Sequence, residues 1–144
     1  MLNRYLMHII MVVNLDYENR VAEMRIKCYS NLYVSELVKK RKNKVLTGLM
    51  EQKFQPGITV ITLASGEQNH LEFFQAFMLR QHFYDEKELF VVGLAEGYED
   101  AAELVEQIVQ KVVDETGGTD IRSYILKEQK NFEESRAKIW CTSS

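Results

Sequence analysis

The sequence predicts an α/β fold, a small three-layer domain with a mainly parallel central sheet flanked by helices. Two runs carry that expectation. Ile58-Thr59-Val60-Ile61-Thr62-Leu63-Ala64 and Leu89-Phe90-Val91-Val92-Gly93-Leu94-Ala95 are strand-like, and each leads through a Gly-containing loop into an apolar segment of helical length. The third observation is size. A chain of 144 residues is long enough to bury one substantial core. The boundaries expected within this single domain are an N-terminal strand or hairpin extension at 1–30, a core at 31–126, and a C-terminal helix and tail at 127–144.

Taken in order, residues 5–13 form an apolar run that reads as a buried strand, with a helix as the alternative, because periodicity does not separate the two over so short a span. The polar residues Asn14 to Asn19 suit a turn. Met24, Ile26 and Cys28 then alternate with Arg25 and Lys27, as in a half-buried strand. The two segments can pair as a hairpin, although Val21, Met24 and Cys28 also fit a helical face. Ser30 or Asn31 suits a cap for a helix over residues 32–53. There Val34, Leu37, Val38, Val45, Leu46, Leu49 and Met50 recur mostly at spacings of three and four. Gly48 weakens that helix by about 1 kcal/mol relative to Ala. Pro56-Gly57 ends it as a turn signal.

After the strand at 58–64, Asn69 is a suitable cap for a helix spanning His70 to Phe83. Leu71, Phe73, Phe74, Phe77, Met78, Leu79 and Phe83 make that helix apolar on more than one face, which calls for burial between layers or cover by another subunit. Residues 84–88 connect to the strand at 89–95, whose unbroken apolar character suits a central parallel strand. Ala101, Ala102, Val105, Ile108, Val109 and Val112 form one stripe of a helix over residues 98–115, and Thr116-Gly117-Gly118 stops it. Asp120 to Leu126 reads as a third parallel strand or as the first turns of a helix. Ile125, Phe132 and Ile139, spaced at seven, mark a sparse amphipathic C-terminal helix, and residues 141–144 a frayed tail.

Charge is unevenly spread. Residues 1–57 hold 10 Lys/Arg against 5 Asp/Glu, and residues 58–144 hold 8 against 16. Opposite signs in the two halves suit either a basic binding surface or charge pairing between copies. The two cysteines, Cys28 and Cys141, stand far apart and in no metal-ligand spacing, so they read as reduced thiols of a cytoplasmic protein. No membrane segment is expected. The apolar N-terminal run is too short to span a bilayer, and acidic residues follow it instead of a cleavage site.

Three sets of residues could carry function. The loops Ser65-Gly66-Glu67 and Glu96-Gly97-Tyr98-Glu99 echo one another at strand ends, where ligands bind in open parallel sheets. If they converge, Ser65, Glu67, His70, Glu96 and Tyr98 are the ligand-binding candidates. Neither loop has a phosphate-binding glycine pattern, and their carboxylates repel anions, so acids complementing a helix dipole are the better explanation of them. Glu67 and His70, three apart, are reasonable metal chemistry with Glu96, but the ligand set is incomplete. Ser65 lies outside any nucleophile-elbow pattern, and no catalytic residue and no cofactor is assigned. Lys39, Lys40, Arg41, Lys42 and Lys44 form the basic run, wrapped around a helix. A subset can contact phosphates, while a solvated helix face or pairing with the acidic helix at 98–115 accounts for them without nucleic acid.

The segments Leu32 to Lys42, Val91 to Ala95, Gly97-Tyr98-Glu99 and Thr116 to Arg122 resemble small uncharacterised bacterial α/β proteins with no assigned activity. The resemblance covers about residues 30–125 and implies a bacterial cytosolic origin and no chemistry. The leading expectation is a non-enzymatic interaction protein that forms a homo-oligomer or binds a protein partner. A nucleic-acid-associated accessory protein using residues 39–44, and a small-molecule or metal-binding enzyme at the 65–70 and 96–99 loops, are the alternatives.

Overall fold

A computed structural model describes residues 25–51, 53–64, 70–78 and 88–142. Strand β1 (Arg25–Val34) leads through a 3-10 turn (Lys39–Arg41) into helix α1 (Lys42–Met50). Strands β2 (Ile58–Leu63), β3 (Leu71–Gln75) and β4 (Glu88–Glu96) follow. Helices α2 (Gly97–Thr116) and α3 (Ile121–Thr142) complete the described chain. The four strands form one sheet in the order β1-β4-β2-β3.

The sheet is mixed and mostly antiparallel, which corrects the expectation of a mainly parallel one. Only β1 and β4 run parallel; β2 runs antiparallel to both β4 and β3. The reason lies at Leu71-Glu72-Phe73-Phe74-Gln75. Read as part of a helix over 70–83, these residues supply a crossover between two parallel strands. They instead return beside β2 as a strand, with Ile61 opposite Phe73. Apolar residues on more than one helical face are, in a strand, apolar residues on both sheet faces. Phe73 packs with the layer that contains α2 and Phe74 with the layer that contains α1. The crossover that does make β1 and β4 parallel is the whole segment between them.

The helix expected over 32–53 is shorter. β1 continues through Val34, because Leu32 and Val34 join one sheet face while Tyr33 joins the other. The period-two reading prevails over the spacing of three and four because pairing of Tyr33 and Val34 with Gly93 and Leu94 satisfies their backbone. The strand expected at 24–28 is present from Arg25 onward. The run at 5–13, its hairpin pairing and the Asn69 cap lie outside the described residues. Asp120 to Leu126 resolves as helix: Ser123 N–H donates to Asp120 Oδ1 at 3.1 Å, a side-chain cap that opens α3. Gly117, at φ 73°, closes α2 in the left-handed region with its N–H on the Val113 carbonyl.

Helices cover both faces. On one, Val45, Leu46 and Leu49 of α1 pack on Ile26, Val60, Val91 and Leu94. On the other, Ala101, Leu104, Ile108 and Val112 of α2, with Ile121 and Ile125 of α3, pack on Tyr29, Ile61, Val92 and Ala95. The β4 ladder skips at Val92, since Ile61 faces Gly93 and Thr62 faces Val91. This bulge sends both Val92 and the open side of Gly93 toward α2. A Cβ at Gly93 would lie 3.2 Å from Ile61 Cδ1 and 3.3 Å from Leu104 Cδ2, so glycine lets α2 approach the sheet closely.

Candidate functional site

The carboxyl ends of β1 and β4 share one edge of the sheet. After Val34 the backbone turns at once: Ser35 N–H donates to the Leu94 carbonyl at 3.0 Å, and Lys39 N–H to the Ser35 carbonyl at 3.0 Å. This tight turn sets the basic run directly above β4. Arg41 Nη2 then reaches Glu96 Oε1 at 2.7 Å, joining the basic run to the loop that ends β4. Glu96 is held from its own side as well, its N–H donating to Asp100 Oδ2 at 2.8 Å. Gly97, at φ 82°, turns the chain into α2 while its N–H bonds the Gly57 carbonyl at 2.8 Å.

The basic run is partly neutralised within the chain. Besides the Arg41–Glu96 pair, Lys39 Nζ stands 3.4 Å from Glu36 Oε1; outside the run, Lys53 Nζ stands 2.7 Å from Glu51 Oε2. Lys40 and Lys44 are exposed and make no ion pair among the described residues; Lys42 is half-buried.

The same edge gathers apolar side chains. Leu37 follows the end of β1, Phe54 precedes β2, Phe77 follows β3, and Tyr98 opens α2. Because β2 begins and β3 ends where β4 ends, all four lie toward this edge. They are among the exposed large hydrophobic residues, with Phe54 72% and Tyr98 69% accessible. Phe54 and Phe77 pack with ring centroids 6.0 Å apart, and Tyr98 leans on Phe73 at 5.2 Å. The sequence singles out Tyr98 and places Phe77 in an apolar segment that calls for cover, but leaves Phe54 unmarked. The one local sign was an aromatic residue set in the polar stretch Gln52-Lys53-Phe54-Gln55 before the Pro-Gly turn.

The strand ends that lead into the two loops read as a shared crevice lie apart. β2 is a neighbour of β4 but runs the opposite way, so Ala64 and His70 lie at the far edge, away from Glu96 and Tyr98. Ser65 and Glu67 lie outside the described residues. His70 sits instead at the corner between α2 and α3, with Nδ1 3.9 Å from Asp120 Oδ1 and 3.5 Å from the Arg122 N–H. Arg122 also donates from Nη1 to the Ala64 carbonyl, fastening this corner to the end of β2. Hydrogen bonds from the Ser123 hydroxyl and backbone hold the Asp120 carboxyl below its ordinary range. Among the described residues, no three His, Cys, Asp or Glu side chains are grouped to hold a metal ion.

A second polar group lies where β1 meets α2 and α3. Tyr29, fully buried, donates its hydroxyl to Glu128, and Tyr124 donates to Glu115. Lys111 Nζ stands over the Tyr33 ring at 5.6 Å. Burial, followed by the bond to Glu128, pushes the Tyr29 phenol far above its ordinary range; burial also raises Tyr33. Next to it, Ser30 N–H donates to Gln129 Oε1 at 2.8 Å, and Lys27 pairs with Glu133. Together with Ile121 and Ile125, these contacts fix α3 to β1, the outermost of the described strands on its side: the helix offers an acceptor to the Ser30 N–H and partners to the Tyr29 and Lys27 side chains. They form a structural seam.

No helix among the described residues is long and apolar enough to cross a membrane. No family model, curated protein or solved structure matches the chain.

Proposed function

We propose that this chain is a non-enzymatic interaction module that self-associates through the carboxyl edge of its parallel strand pair. The observation that carries the reading is the gathering of Leu37, Phe54, Phe77 and Tyr98 at that single edge. Aromatic residues held in water by their own backbone, with charged residues around them, have the composition of a protein-binding patch: an apolar centre and a polar rim. The basic run contributes to that rim more than to a phosphate site, because Glu36 and Glu96 already engage Lys39 and Arg41.

Sedimentation velocity from micromolar to millimolar concentration tests this reading. The wild-type chain is expected to gain mass with concentration, and a variant carrying Phe54→Ser and Phe77→Ser to remain a folded monomer. A wild-type chain that stays monomeric throughout removes the proposal.

One observation favours a second reading, binding of nucleic acid. Lys40 and Lys44 are exposed and without ion pairs among the described residues, and the chain also exposes rings on which bases can stack. That reading predicts binding to single-stranded oligonucleotides which weakens steeply with salt and is lost in Lys40→Glu with Lys44→Glu. No anisotropy change at low salt dismisses it.

A further inference from the structure

We infer that the occupant of this edge is a second copy in a two-fold arrangement, Lys40 and Lys44 of one chain facing Glu99 and Glu103 of the other. The inference rests on the self-association proposed above and adds its symmetry and register. The first observation is that unpaired charges of opposite sign lie on opposite sides of the edge. Lys40 and Lys44 belong to the layer of the 3-10 turn and α1, while Glu99 and Glu103 belong to the first turns of α2, across the sheet. All four are exposed, and none is in an ion pair among the described residues.

The second observation is that other charges close in sequence to the exposed aromatic residues are already satisfied within the chain, by Arg41–Glu96 and Lys53–Glu51. A two-fold contact must be self-complementary, because the same patch serves both chains. A uniformly basic patch would repel its copy. A patch with cations on one side and carboxylates on the other attracts it, provided that the axis runs along the row of strands. That axis turns the α1 side of one chain over the α2 side of its partner. It leaves Phe54, Phe77 and Tyr98 of both chains inside the contact, where water is excluded. Charge complementarity thus selects a second copy over a polyanion, for which Glu99 and Glu103 are repulsive.

The test uses the full chain and three variants: K40E with K44E, E99K with E103K, and all four together. Dimer dissociation constants are measured by sedimentation equilibrium at low and high salt, with far-ultraviolet circular dichroism to confirm folding. Each double variant is expected to weaken the dimer about tenfold or more at low salt, since like charges are then brought together. The fourfold variant recovers the wild-type constant, and an equimolar mixture of the two double variants forms heterodimers. High salt shrinks these differences. A wild-type monomer at every concentration overturns the inference together with the self-association. A wild-type dimer indifferent to all three charge changes overturns only this register. Mass that grows beyond two chains without limit overturns the two-fold in favour of a head-to-tail contact.

Discussion

Arg41 and Glu96, fifty-five residues apart, form an ion pair of 2.7 Å that ties the basic run after β1 to the end of β4. Both side chains are close to half exposed, so solvent screens the pair. Its contribution to stability is expected to be small, about 0–1 kcal/mol, as for other exposed pairs. Glu96→Gln should therefore leave the urea midpoint nearly unchanged while freeing the Arg41 guanidinium. A loss of several kcal/mol would mean that the pair anchors the turn at 35–41.

Gly93 is the opposite case, buried with no room around it. A methyl group there would press on Ile61, on Leu104 and on the Tyr33 carbonyl, the last at 3.4 Å. Gly93→Ala is expected to cost about 1–3 kcal/mol, the usual penalty of overpacking a filled core. Chemical denaturation measures it. An unchanged midpoint would show that α2 can move away from the sheet freely.

Gln129 supplies the acceptor for the buried Ser30 N–H. Gln129→Ala leaves that donor unsatisfied and should cost about 1–3 kcal/mol. Hydrogen exchange gives the more specific readout: the Ser30 amide should lose protection more than its neighbours in β1. Uniform loss along β1 would point to general loosening of α3 instead.

The tyrosines set an alkaline limit. Tyr29, Tyr33 and Tyr124 are all raised from an ordinary value of 10.0, Tyr29 and Tyr124 by burial first and then by hydrogen bonds to glutamates. A raised phenol favours the folded state while the unfolded chain also keeps its proton, so the contribution is complete below about pH 10. Above that pH the unfolded chain releases protons that the folded chain retains, and stability falls as pH rises. Denaturant titrations between neutral and strongly alkaline pH should show this decline, and Tyr29→Phe should make it shallower. Phenolate absorbance should rise together with unfolding; a phenolate signal from Tyr29 in a chain that stays folded near pH 10 would contradict the assignment.

Much of the local structure was legible because it follows from contiguous residues. The stripe Ala101 to Val112 and the Gly117 stop specify α2, and the run 89–95 specifies β4, without knowledge of any partner. The exposed basic run and Tyr98 were visible for the same reason. The segment 71–75 was not, because five residues with three apolar side chains satisfy a helix and a strand equally well. Its conformation was decided by Thr59 to Leu63, which offered it a ladder. The limits of α1 were decided likewise, by the pairing of Tyr33 and Val34 with β4.

Direction propagates further than conformation. β3 and β4 both run opposite to β2, so Ala64, at the end of β2, and Glu96, at the end of β4, lie at opposite edges although the segments that follow them look alike in sequence. His70 then meets Asp120 and Arg122, while Glu96 meets Arg41, and Phe54 meets Phe77. The sequence by itself determined which residues prefer water, which turns are tight and where charge accumulates, since these are properties of neighbours along the chain. Only the tertiary structure decided which of those residues share an edge, because that depends on strand direction, a choice made by hydrogen bonding between segments far apart in sequence.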